Sequence, residues 1–239
     1  MIKRDYDGPL QGPMRQLQQR IVACRACPRL VEFRERKATD ERRASFRAWD
    51  YWGAAVPSHG DPNARLLLVG LAPASHGGNR TGRMFTGDPT ADFLVKALHR
   101  AGFASQPTSL SRDDGLTLND AFEIAVVRCA PPNDKATAVE QHTCRPYIHQ
   151  EIDLLPNLKV ALAFGRVAFD NFIRAMRERT GLPLRHQFKH GARYDLGDGL
   201  PTLFATYHPS PRNTNTGRLT APQLDAVFDS VTAFLDAPS

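Results

Sequence analysis

Apolar positions along this chain follow two periods. Arg65–Gly70 (RLLLVG), Ile124–Val127, Val160–Phe164 and Thr202–Thr206 (TLFAT) are short, nearly continuous apolar runs. Such runs suit strands of a parallel sheet, whose two faces are both covered. Between and after them the spacing lengthens to three and four residues, which predicts helices over Asp92–Ala101, Ala138–Leu155, about Arg166–Arg177, and Pro222–Leu235. An earlier segment, Pro13–Val31, also reads as helical, with Met14, Leu17, Ile21 and Val22 at helical spacing and Pro28 marking a turn or boundary. Glu35–Asp61 is polar, dotted with aromatics and interrupted by Pro and Gly, and reads as irregular.

Strand–helix alternation at this rhythm predicts one α/β domain. Its core is expected to be a four-stranded parallel sheet flanked by helices on both faces, a three-layer α/β/α arrangement. Ligands in such sheets bind beyond the C-terminal strand ends. The loops after Val69, Val127 and Thr206 are polar or rich in Gly and Pro, so chemistry is expected there.

Composition changes this picture little. Of 239 residues, 41% are hydrophobic and 23% charged, as in ordinary globular proteins. No apolar run approaches the ~20 residues of a membrane span. The opening MIKRDYDGPLQ has no apolar core of a secretory signal, so a cytoplasmic protein is expected. Charge adds more. Residues 1–50 carry twelve Lys/Arg against seven Asp/Glu, most of the chain's net +6. That is either a solvated basic face or a surface that neutralises phosphates.

Cys24-x2-Cys27 precedes Cys129 and Cys144, which are separated by fourteen residues. Disulfides are rare in the cytosol, so the spacing points to a metal. Four thiolates suit either zinc or a 4Fe–4S cluster. Compact zinc folds commonly use two C-x2-C knuckles, and the spread second pair here tilts toward iron–sulfur.

The loop Gly70–Asp88 (GLAPASHGGNRTGRMFTGD) is rich in glycine and lacks both GxxxxGK[ST] and GxGxxG, so it is a weak phosphate-loop candidate. The loop from Tyr207 to Leu219 carries His208, two arginines and several amide or hydroxyl side chains, and no acid.

Together, Gly70–Asp88, VRCAPPND (Val127–Asp134) and YHPSPRNTNTGRLT (Tyr207–Thr220), with the Cys pair ahead and Cys144 behind, resemble the family 5 uracil-DNA glycosylases over nearly the whole chain. The resemblance implies a monofunctional glycosylase that hydrolyses the N-glycosidic bond of uracil in DNA, and monomeric action fits an enzyme that grips a duplex. Hypoxanthine and ethenocytosine are implied as further substrates. It also implies a structural 4Fe–4S cluster held by Cys24, Cys27, Cys129 and Cys144.

Residue roles follow from the same resemblance. Asp88 would hold the attacking water and offset oxocarbenium charge, although the sequence equally suits it as an N-cap. His208 would hydrogen-bond the base carbonyl as negative charge arrives. Phe85 would stack on the flipped base, with Gly70, Leu71, Ala72, Pro73, His76 and Asn79 lining the cavity. Arg80 and Arg83 would contact phosphate, or be ordinary surface charge. Ser210, Pro211, Arg212, Asn213, Thr214 and Asn215 would press into the duplex, with Arg212 gripping a phosphate. The chain departs from the family at Met84, where Pro is common, and at Asn133-Asp134-Lys135. Asp134 occupies the place of the family's base-reading Asn, so either Asn133 or Asp134 reads the base.

Two other classes remain. One is a non-catalytic iron–sulfur or zinc nucleic-acid-binding module, which has no need of Asp88 or His208. The other is a nucleotide-processing enzyme, disfavoured by the missing lysine signature.

Overall fold

A computed structural model describes residues 1–237. Six strands form one sheet: β1 (His59–Gly60), β2 (Leu66–Gly70), β3 (Ala121–Ala125), β4 (Val160–Phe164), β5 (Arg193–Tyr194) and β6 (Thr202–Thr206). Their order is β1-β3-β2-β4-β6-β5. The four apolar runs are the parallel centre, β3-β2-β4-β6. The expected four-stranded parallel sheet is therefore corrected to a mixed six-stranded one. β1 pairs antiparallel with β3, and β5 antiparallel with β6. Two-residue strands at both edges leave little unpaired backbone for another chain to extend.

The chain starts at β2, crosses to β3 on one side, then passes to β4 on the other. This reversal opens a crevice at the C-terminal ends of β2 and β4. Register aligns those ends, pairing Gly70 with Ala125 and Phe164 with Thr206.

Nine helices flank the sheet among the described residues: α1 (Gly12–Val22), α2 (Pro28–Thr39), α3 (Gly78–Thr81), α4 (Pro89–Arg100), α5 (Ala138–Cys144), α6 (Pro146–Asp153), α7 (Arg166–Thr180), α8 (Pro211–Thr214) and α9 (Ala221–Leu235). The segment expected as one helix over Pro13–Val31 is two, because Pro28 opens α2 and Cys24–Cys27 form the link. α2 then continues to Thr39, into the stretch expected to be irregular. The helix expected over Ala138–Leu155 is likewise broken before Pro146, whose ring cannot sit inside a continuous helix.

Every residue of β2, β3 and β4 is buried. Glu123 is the exception in kind: a carboxyl inside β3, opposite His59 of β1 and on the same face. Burial pushes it up to about 8, opposed only by the nearby Arg83 charge. Its Oε1 has no hydrogen-bond partner among the described residues. Burial likewise holds His59 down to about 4.

Between pH 4.5 and about 8 the folded state thus keeps a proton on Glu123 that the unfolded chain has released, so this group costs stability as pH rises. Glu123→Gln removes that cost. Thermal unfolding should show the variant gaining on wild type from pH 5 to 8; a constant Tm difference would contradict a buried neutral acid.

Candidate active site

The connection from β2 to α4 crosses the crevice, and close contacts fix its path. Gly70 ends β2 beneath Phe85; a Cβ there would lie 2.9 Å from Phe85 Cζ. Phe85 has a φ of 43°, a left-handed conformation uncommon for an aromatic residue. Its ring stands edge-on to Phe164 at the end of β4, with centroids 5.4 Å apart, and tilts against His208 at 6.4 Å.

Three residues on, Asp88 caps α4. Its Oδ1 accepts the Ala91 amide at 3.0 Å. Its Oδ2 lies so close to Gly77 that any Cβ at that position would collide with the carboxylate. Burial raises the Asp88 carboxyl above the ordinary aspartate range, while the Ala91 and Thr90 amides pull it back down. The N-cap reading is therefore correct, and the cap leaves the same carboxylate on the border of a large cavity.

That cavity, about 710 Å³, is lined on its inner side by His76, Gly77, Asp88, Asn133 and Asp134. Asn133 and Asp134 both have a φ of 54° in an exposed 3-10 turn, Pro132–Asp134, and both reach the cavity. His76 is oriented by the Tyr51 hydroxyl, 3.0 Å from Nδ1. Leu71 and Ala72 are half-buried and Pro73 is buried at the strand end, where Leu71 O accepts the Val127 amide at 2.9 Å. Gly70, Leu71, Ala72, Pro73, Phe85 and His208 lie outside the lining of this cavity, contrary to expectation for the first five, and Gly70, Phe85 and His208 pack together at the end of β4.

His208 follows β6. Gly165, with a φ of 85°, leaves room beside it; a Cβ there would lie 3.1 Å from His208 Cβ. Asn213 Nδ2 donates to His208 O at 2.8 Å, folding the next loop back onto it. Burial holds the imidazole down to about 4, so the ring is neutral near pH 7. A neutral imidazole still offers one N–H donor.

Three expected positions turn their polar groups to the protein instead. Asn79 is buried away from the cavity and donates to Arg34 O at 3.1 Å. Arg83 is not at the surface: it is buried in an ion pair with Asp114 at 2.9 Å and bonds Ser109 and Thr86. Arg80 lines the cavity, but its Nε and Nη2 donate to the His76 and Gly87 carbonyls, both at 2.7 Å. These three side chains brace the loop. The turn from Ser210 to Asn215 does project: Arg212 and Asn215 are exposed, while Ser210, Pro211, Asn213 and Thr214 are half-buried in and around α8.

The four cysteines border one narrow hollow between the α1–α2 link, the loop after β3 and the end of α5. Among the described residues they are not gathered around a single ion-sized point. Arg34 Nη1 lies 2.7 Å from Cys129 Sγ, and the Arg128 amide donates to Cys144 Sγ at 3.4 Å. Burial, with a smaller push from the neighbouring cysteines and against the pull of Arg34 and Arg128, raises the Cys129 thiol to about 11 and Cys144 to about 12.

The sequence reading passed over the cavity's outer wall, formed by Phe33, Lys37, Arg43, Phe46 and Trp49. The signal was present as the alternation of aromatics and cations in FRERK and RRASFRAW.

A family model described as the uracil DNA glycosylase superfamily matches residues 57–232, from just before β1 into α9. A type-5 uracil-DNA glycosylase of Thermus thermophilus is 47% identical over 202 residues, spanning 84% of this chain and 89% of the relative. One from Mycobacterium tuberculosis is 45% identical over 218 residues, spanning 91% and 80%. A type-4 uracil-DNA glycosylase of Sulfurisphaera tokodaii is 26% identical over 163 residues, spanning 68% and 67%. The chain belongs to the uracil DNA glycosylase superfamily. Within it, identity and coverage place the chain in the type-5 family.

Because burial alone sets the state of His208, nitrogen chemical shifts should show a neutral ring from pH 8 down to near 4. Titration at the ordinary 6.5 would contradict the enclosed site.

Proposed function

We propose that this chain excises uracil from DNA by hydrolysing its N-glycosidic bond, leaving an abasic site. The observation that carries the reading is Asp88. It is a desolvated carboxylate, held on one oxygen by the start of α4 and pressed against Gly77, at the edge of a cavity large enough for a nucleotide.

A base inside a duplex is out of reach, so the nucleotide is first extruded at a cost of a few kcal/mol. As the C1′–N1 bond stretches, positive charge grows on the sugar and the electron pair moves onto the base. Asp88 is the anion for the sugar and orients the water that adds to C1′. The neutral His208 N–H is the donor for the base oxygen that gains charge. A fixed donor in a desolvated site needs no reorganisation as the charge arrives. Asn133 or Asp134, both in the cavity lining, reads the Watson–Crick edge. The cavity volume supports extension to hypoxanthine and ethenocytosine, both larger than uracil. A purely binding module would require none of the constraint on Asp88.

We also assign a 4Fe–4S cluster to Cys24, Cys27, Cys129 and Cys144. Four thiols border one hollow, with the Arg34 cation beside one of them to offset thiolate charge. The donor set of four thiols fits this group. The group's contribution is a cross-link between the α1–α2 segment and the loop after β3. Cys24→Ala should lose the broad visible absorption and lower Tm; unchanged metal content and folding would refute the assignment.

His208→Ala should reduce single-turnover excision by about 10²–10³-fold, the usual cost of one fixed oxyanion donor. Excision should also fail toward acid pH, at a pH above that where an ordinary aspartate protonates, because burial raises Asp88. The assay is alkali cleavage of uracil-containing oligonucleotides across pH. An Asp88→Ala variant as active as wild type would remove the assignment.

A further inference from the structure

The cavity beside Asp88 is lined by two sets of residues of opposite charge, termed its inner and outer walls. The inner wall carries Asp88, Asp92 and Asp134, all acids. The outer wall carries Lys37, Arg43 and Arg80 interleaved with Phe33, Phe46 and Trp49. The Arg80 guanidinium packs on both Phe46 and Trp49, at 3.9 and 4.0 Å from their ring centres. Lys37 lies over Phe33 at 5.3 Å, and Arg43 over Phe46 at 6.0 Å. Lys37 is neutralised by Glu41 at 2.6 Å, but Arg43 and Arg80 have no carboxylate partner among the described residues. Trp49 is 37% exposed, whereas the chain's other indole, Trp52, is 5% exposed.

A free cation, Arg43, beside the exposed indole of Trp49 is the chemistry of single-stranded nucleic acid: a phosphate meets the cation and a base stacks on the ring. The acids and the unpaired Arg43 of the lining also set an orientation. A phosphodiester is repelled by the acidic wall and drawn to Arg43, which leaves the sugar of the extruded nucleotide toward Asp88. At about 710 Å³ the space falls in the range of about 300–1,000 Å³ that encloses a drug-sized ligand, more than a lone pyrimidine fills.

We propose that the Phe33–Trp49 wall docks the unpaired nucleotide next to the extruded one in the same DNA strand, its base stacked on Trp49 and its phosphate facing Arg43. This rests on the reading of the Asp88 cavity as the uracil site. Stacking on Trp49 makes the enzyme read one flank of the lesion as single strand. Arg80 connects this wall to the chemistry, because the guanidinium under Trp49 also holds the Gly87 carbonyl next to Asp88.

The test uses full-length protein and single-stranded oligonucleotides carrying a 2′-fluorinated uracil nucleotide, which resists hydrolysis. The uracil is placed centrally, at the 5′ end or at the 3′ end. Binding of the central oligonucleotide is expected to quench the exposed indole. One end-placed oligonucleotide, lacking the docked neighbour, is expected to quench it far less. Trp49→Ala should weaken binding of the central oligonucleotide by about tenfold, with a smaller loss on the oligonucleotide lacking that neighbour. Trp49→Phe, which keeps an aromatic face over Arg80, should recover most of the affinity. Equal losses on all three oligonucleotides, no loss on any, or no binding by wild type would overturn the docking site. Failure of wild type to cleave ordinary uracil DNA would instead reject the glycosylase reading, and the binding comparison would still decide the wall.

Discussion

The site depends on one close approach: the Asp88 carboxylate against the backbone of Gly77, with the first amides of α4 on its other oxygen. A desolvated carboxylate is costly unless its lone pairs are met, and the helix start meets them with fixed N–H groups. The remaining lone pairs stay directed at the cavity. That arrangement survives only if the loop carrying both Gly77 and Asp88 cannot relax. Arg80 spans it from His76 to Gly87. Arg83 anchors its far half through a buried ion pair with Asp114, and breaking one partner of such a pair leaves an uncompensated buried charge.

The other half of the chemistry comes from a different part of the chain, and the sheet brings it near. Parallel register sets the ends of β2, β4 and β6 side by side, so Gly70, Phe164 and Thr206 all open toward one crevice. Phe85 is the contact between the halves: it lies over Gly70, touches Phe164 and faces His208. The cysteine region joins the same framework. Arg34 reaches Cys129 with its side chain and accepts the buried Asn79 amide with its carbonyl, linking α2 to α3 in the loop that carries Asp88.

The parallel strands were legible because burial on both faces demands uninterrupted apolar runs. β3 was displaced by a few residues because Glu123 breaks its run, a charge that burial keeps neutral. The edge strands were invisible, since two residues of antiparallel pairing carry no period. Loop order also puts Asp88 and Phe85 after β2 and His208 after β6, as the structure has them. Sequence could not separate arginines that meet solvent from those that brace a loop: Arg80 and Arg83 look like surface charge and are buried. The outer wall escaped for the opposite reason. Its residues lie in a stretch without periodicity, and only folding shows that their side chains share a cavity with Asp88.

The most direct test of the account is a crystal structure with DNA containing a 2′-fluorinated uracil nucleotide. The account requires the Asp88 carboxylate on the C1′ side of the sugar, with a water between them, and the His208 N–H within hydrogen-bond reach of a uracil oxygen. A bound uracil that meets Asp88 but lies beyond reach of His208, or the converse, would contradict it.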